Sequence, residues 1–218
     1  MNEKPVGFIN HFYLKMIAVI SMLIDHVGLI FFPEYPVLRE IGRIAFPIYC
    51  YLIVEGFHHT RSPFNYFIRL FIFTIISEIP FDLAFRRQLF DWGHQNVFFT
   101  LTLGLLCIFC LEEINNRRRY WILLVFLWIT AYLIHCDYGL GGVLLICMFY
   151  VTEKSPLTRL ILCTLILYLF FGPTELYGVL ALVFIAFYNK KKGPEAKMFF
   201  YWFYPIHLIA LYLIKTYM

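Results

Sequence analysis

The sequence predicts an all-α, polytopic transmembrane helix bundle of about nine helices with a cytoplasmic N-terminus, on composition, segment spacing and loop charge. Of 218 residues, 61% are hydrophobic and 15% charged, against roughly 25% charged in a soluble domain. No polar stretch approaches the roughly 50 residues a separate soluble unit needs, so residues 1–218 read as one integral-membrane domain.

The apolar segments are punctuated by short charged or Gly/Pro-bearing turns. They place helices at residues 13 to 32, 40 to 57, 65 to 85, 96 to 112, 119 to 135, 139 to 151, 157 to 171, 174 to 189 and 197 to 215. The sixth to eighth are shorter than the roughly 20 residues that cross about 30 Å of hydrocarbon, which leaves two of them open to being re-entrant or merged. The first run has no small-residue cleavage site and carries Asp25 and His26, so it reads as a retained helix.

Loop charge sets the orientation. With the N-terminus inside, the cytoplasmic segments hold Lys4, Arg61, Arg69, Arg117, Arg118, Arg119, Lys154, Arg159, Lys190, Lys191, Lys192 and Lys197. The opposite side holds Arg39, Arg86, Arg87 and Lys215. Twelve against four favours N-in and C-out. The net charge of +4 is then mostly this cytoplasmic rim, and no nucleic-acid partner is needed to explain it. The six cysteines lie mostly in apolar helices, where thiols pack as small hydrophobes, and no metal site is completed.

Ionisable residues inside the hydrophobic segments are costly unless they face a polar cavity. Asp25 and His26 lie past the midpoint of the first helix, Arg43 in the outer part of the second, and Glu78 and Asp82 in the outer part of the third. Asn96 opens the fourth helix, Asp137 follows the fifth, Glu175 opens the eighth and His207 lies near the middle of the ninth. One polar pocket open to the outer side is the simplest way to satisfy all of them, and scattered ion pairs between helices are the alternative. A buried arginine needs a carboxylate or other acceptor, and Asp25, Glu78 or Asp82 is the expected partner of Arg43. Lys15 and His26, eleven residues apart, share a helix face about 16 Å apart, a cation near the cytosol and an imidazole near the outer half.

No serine elbow, H-E-x-x-H helix or phosphate loop is present. Glu112-Glu113 and Phe203-Tyr204-Pro205-Ile206-His207 echo two intramembrane-protease motifs, but the glutamates sit at the cytoplasmic rim and His207 in mid-membrane. Acyl transfer from a thioester needs a general base and donors for an oxyanion, and His26 suits the base, with Asp25 or a carboxylate from another helix to orient or charge it and His207 as its rival.

The strings Lys15-Met16-Ile17-Ala18, Met22-Leu23-Ile24-Asp25-His26-Val27-Gly28, Ile41-Gly42-Arg43-Ile44-Ala45-Phe46-Pro47, Ser77-Glu78-Ile79-Pro80-Phe81-Asp82, Gln95-Asn96-Val97-Phe98-Phe99 and Asp137-Tyr138-Gly139 resemble the TraX family over nearly the whole chain. The resemblance implies a membrane acyltransferase, because the family's type member acetylates the N-terminus of F-pilin. It also implies kinship with the acyltransferase-3 proteins, which carry cytosolic acyl groups to acceptors across the membrane. That group has an arginine eleven residues before a first-helix histidine, and Lys15 stands in its place here. The expected donor is acetyl-CoA, held partly by Lys15. The expected acceptor is pilin, a glycan or another surface molecule. A proton-coupled transporter and a non-catalytic pilus or surface assembly factor are the alternatives.

Overall fold

A computed structural model describes residues 7–113 and 117–218, without the side chains of residues 113–124. Lys4 and the side chains of Glu113, Arg117, Arg118 and Arg119 therefore lie outside the described residues. The elements are α1 (His11–Phe31), α2 (Pro36–Gly42), α3 (Ala45–His59), α4 (Pro63–Arg86), α5 (Val97–Glu113) and α6 (Arg117–Leu133). There follow α7 (Gly139–Val151), α8 (Pro156–Phe171), a 3-10 helix (Pro173–Leu180), α9 (Ala181–Ala186) and α10 (Lys197–Tyr217). Among the described residues the only extended pairings are two isolated bridges, Ile9 with Tyr188 and Gln95 with Cys136.

The boundaries follow local chemistry. Asn10 caps α1 by accepting from the Tyr13 N–H at 2.9 Å, and Ser62 caps α4 through the Asn65 N–H at 3.3 Å, with Pro63 at the first helical position. Arg87 ends α4 in the left-handed region at φ 57°. Two expected helices are each divided. The helix expected at 40 to 57 is α2 and α3, broken at Arg43 and Ile44, and its C-terminus runs on to His59. The one expected at 174 to 189 opens as the 3-10 helix and becomes α only at Ala181. The helices expected at 139 to 151 and 157 to 171 stand as separate elements.

Helix ends gather at two opposite ends of the bundle. At one end the start of α1 pairs with the chain after α9, Ile9 N–H to Phe187 O at 3.0 Å and His11 N–H to Lys191 O at 2.8 Å. There too Lys190 reaches Glu55 of α3 at 3.8 Å and Glu153 beyond α7 at 3.4 Å, and Tyr150 of α7 bonds Glu112 of α5. At the other end, Lys215 of α10 donates to Ile30 O of α1 at 2.7 Å, and the Gln95 and Asp137 backbones join the start of α5 to the start of α7. With α2 counted with α3 and the 3-10 helix with α9, the described residues make nine alternating passes between these ends.

At the centre is α3. Nearly every residue from Ala45 to Glu55 is buried, and it packs on α1, α5, α7, α9 and the 3-10 helix. The periphery is apolar. On α4, Phe71, Ile72, Ile75, Ile76 and Ile79 form one exposed face, and α8 exposes Leu157, Leu160, Ile161, Leu165 and Leu169. Such continuous apolar faces suit hydrocarbon rather than water as solvent. Both α1 and α10 are long and apolar enough to cross a bilayer. The chain folds as an all-helical membrane bundle.

The loops at the Lys215 end are tied by His94, which donates from Nε2 to Asp137 Oδ1 at 3.1 Å. This hydrogen bond raises the pKa of the half-buried imidazole above its ordinary value. A raised folded pKa means that the contact stabilises fully below the unfolded value of about 6.5 and is lost as pH rises through the folded one. The gap in thermal midpoint between the native chain and His94→Ala, in neutral detergent, is therefore expected to be wider at about pH 5.5 than at about pH 8.5. A gap that does not change with pH would contradict this latch.

Candidate functional site

At the end of the bundle where α1 meets Lys215, a cavity of about 580 Å³ opens between α1, α2, α3, α4, α10 and the 3-10 helix. Its polar lining includes Asp25, His26, Arg39, Arg43, Asp137 and Glu175, and its walls include Phe46, Phe81, Phe85 and Tyr138. Its size suits a small ligand or the reacting end of a larger one.

Arg43 sits at the break between α2 and α3, nearly buried at 7% exposure. Its Nε–H donates to Arg39 O at 3.1 Å, one terminal nitrogen bonds Asp25 of α1, and the other bonds Glu175 of the 3-10 helix at 2.5 Å. The second oxygen of Asp25 takes Arg39 at 2.5 Å. Two guanidiniums thus meet two carboxylates, and all three donor nitrogens of Arg43 are used. The break is tight at this point: a Cβ added to Gly42 would lie 2.2 Å from the Asp25 carboxylate. Beside it Phe46 and Tyr138 stack with centroids 3.5 Å apart.

His26 follows Asp25 by one residue, about 100° around the helix, and so takes a different partner. Its Nδ1 lies 2.7 Å from Nε2 of His207 on α10, with the two rings parallel to within 2°. His207 Nδ1 lies 2.8 Å from Phe203 O. A carbonyl only accepts, so the His207 proton is assigned to Nδ1 and its Nε2 must accept from His26 Nδ1. That leaves His26 Nε2 as a bare lone pair with no protein partner among the described residues. Phe85 packs edge-on against the ring at 5.2 Å.

The structure therefore divides the residues expected to share one pocket. Asp25, His26, Arg43 and Asp137 line the cavity, and His207 supports it through His26. Glu78, Asp82 and Asn96 do not line it. Asn96 caps α5, accepting from the Phe98 N–H at 2.9 Å and donating to Thr74 O at 3.0 Å and to Glu78. Asp82 accepts from the Asp91 N–H at 2.8 Å. Neither Glu78 nor Asp82 pairs with Arg43; the second partner is Glu175, which the sequence marks only as an outer acidic residue opening a helix. Asp25 does not orient His26 either, because both of its oxygens are taken by arginines. Lys15 lies towards the opposite end, 5.1 Å over the Phe200 ring.

Removing one partner of a buried ion pair leaves the other charge uncompensated, at a cost of about 3–5 kcal/mol. Arg43→Ala is expected to lower the unfolding midpoint in detergent sharply. Glu175→Gln, which leaves the Asp25 pair intact, is expected to lower it less. An Arg43→Ala protein as stable as the native chain would show that the network contributes nothing.

The family model described as TraX protein matches residues 11–215. A probable fimbrial assembly protein FimC, serogroup H1, of Dichelobacter nodosus is 31% identical over 92% of this chain and 93% of its own length. Protein TraX of Escherichia coli is 29% identical over 63% of this chain and 54% of that protein. No solved structure matches. The matched span holds α1 through nearly all of α10, and with it every side chain of the cavity, so the chain belongs to the TraX family.

Proposed function

We propose that the chain is a multi-pass acyltransferase of the bacterial cytoplasmic membrane that moves an acetyl group from cytosolic acetyl-CoA to an amine or hydroxyl at the outer side. The observation that supports this most is the bare Nε2 of His26 in the cavity, fixed in that tautomer by His207. In this reading the acceptor's nitrogen or oxygen attacks the thioester carbonyl, and His26 Nε2 takes the proton it sheds. The carbon–sulfur bond then breaks, and the leaving thiolate recovers that proton from His26. His207 holds the ring in place and shares the positive charge while it exists, as the third group of a catalytic triad does. Placing the cavity outward agrees with the basic residues Lys190, Lys191 and Arg159 at the opposite end.

The donor is asked to span the bundle. Met22 is the deepest α1 residue on the cavity, and Lys15 lies about 10 Å further inward. Lys15 would meet the anionic end of the donor, with the thioester reaching outward to His26. The acceptor is taken to be a subunit or modifiable group of a surface fibre, in keeping with the name of the Dichelobacter relative. That name equally favours a second reading, a non-catalytic assembly factor, which predicts no transfer of label.

Purified protein incubated with radiolabelled acetyl-CoA and membranes is expected to label an acceptor. His26→Ala is expected to lose about 10²-fold or more in rate, and His207→Ala to lose less while its pH–rate profile shifts. An active His26→Ala protein beside a dead His207→Ala protein would reverse the roles. Normal activity in both would exclude histidine as the base.

A further inference from the structure

Hydrogen-bond donors outnumber acceptors at the rim of the cavity. The charges of Arg39, Arg43, Asp25 and Glu175 cancel, but Arg39 spends only one terminal nitrogen, on Asp25 Oδ2 and O, and its side chain is 30% exposed. Its Nε–H and second terminal nitrogen have no protein partner among the described residues. Lys215, also on the cavity wall, makes one contact, to Ile30 O at 2.7 Å, and none of the ion pairs among the described residues includes it. Ile30 O belongs to the last turn of α1, so this contact points the ammonium at a helix C-terminus and leaves two of its three donors free. Asp137 is engaged with His94, and Arg86 with Asp91 at 3.4 Å.

Geometry sets these spare donors around the base. Ile30 is four residues after His26 and on the same face of α1, one turn nearer the mouth, while Arg39 is held at Asp25, the residue before His26. An anion seated between Lys215 and the free edge of Arg39 would lie beside His26 Nε2. We propose that the cavity is an anion-recognition site: its ligand carries a phosphate or carboxylate, which Arg39 and Lys215 hold so that a neighbouring amine or hydroxyl faces His26. The placement of that amine or hydroxyl rests on the acyltransfer reading; the anion site itself is testable without it.

The test is calorimetric titration of the full chain in phosphatidylcholine nanodiscs, with no acyl donor, using hexyl phosphate, hexanol and hexylammonium as probes of one chain length. Hexyl phosphate is expected to bind most tightly, and Lys215→Gln to weaken it about fivefold, the loss of one half-exposed ion pair. Higher salt should shrink that difference. Lys215→Gln carries the test because Arg39→Gln also disturbs Asp25. Nanodiscs containing phosphatidylglycerol separate the two sources of such an anion. Competition by that lipid would assign the site to a membrane headgroup, and unchanged affinity would assign it to a soluble or protein-borne anion. No preference for hexyl phosphate, or a Lys215→Gln protein that binds it as the native chain does, would overturn the proposal. Anion binding without label transfer would instead count against the acyltransferase reading alone.

Discussion

The constraint on which the Lys215 end of the bundle depends is that Arg43 cannot shed its charge. A guanidinium buried in a membrane bundle must find acceptors for its fork of donors, and here they come from three segments far apart in sequence: Asp25 of α1, the Arg39 carbonyl of α2 and Glu175 of the 3-10 helix. Meeting all three requires the chain to break between α2 and α3, and it requires a residue without a side chain at Gly42, where the backbone crosses the Asp25 carboxylate. The second arginine, Arg39, completes Asp25.

That clasp fixes the position of the cavity and of His26 beside it. Asp25 is held on one side of α1, so its neighbour His26 is presented on another, towards α10, where His207 and the Phe203 carbonyl set its tautomer. The two systems are chemically separate. One is a charged network that neutralises itself; the other is a neutral chain of hydrogen bonds ending in a lone pair. Both systems border the same cavity, one through Arg39 and the other through His26.

The architecture was largely legible because hydropathy and loop charge report directly on a membrane solvent, and the nine passes reproduce the spacing of the apolar runs. The break after Gly42 was not, since apolar residues continue through Ile44, Ala45 and Phe46. Pro47 was a usable signal, because proline belongs in the first turn of a helix and so argues for a start near Ala45. The candidate site was half legible. Buried charge singled out Asp25, His26 and Arg43, yet partners separated by 132 residues in Arg43 and Glu175, or by 181 in His26 and His207, have no local signature. Glu78 was drawn elsewhere by Asn96, whose role as the cap of α5 put its amide within reach.

Whether His26 can accept a proton from the cavity depends on the protonation pattern of two imidazoles. Nitrogen-15 NMR of the detergent-solubilised protein, labelled at histidine and assigned by His26→Gln and His207→Gln, reports which ring nitrogens carry protons. Protonated Nδ1 on both rings, with His26 Nε2 of the unprotonated type at neutral pH, is the result the structure requires. A proton on His26 Nε2 with His26 Nδ1 bare would contradict it, because His26 would then face the cavity as a donor and could not act as the base.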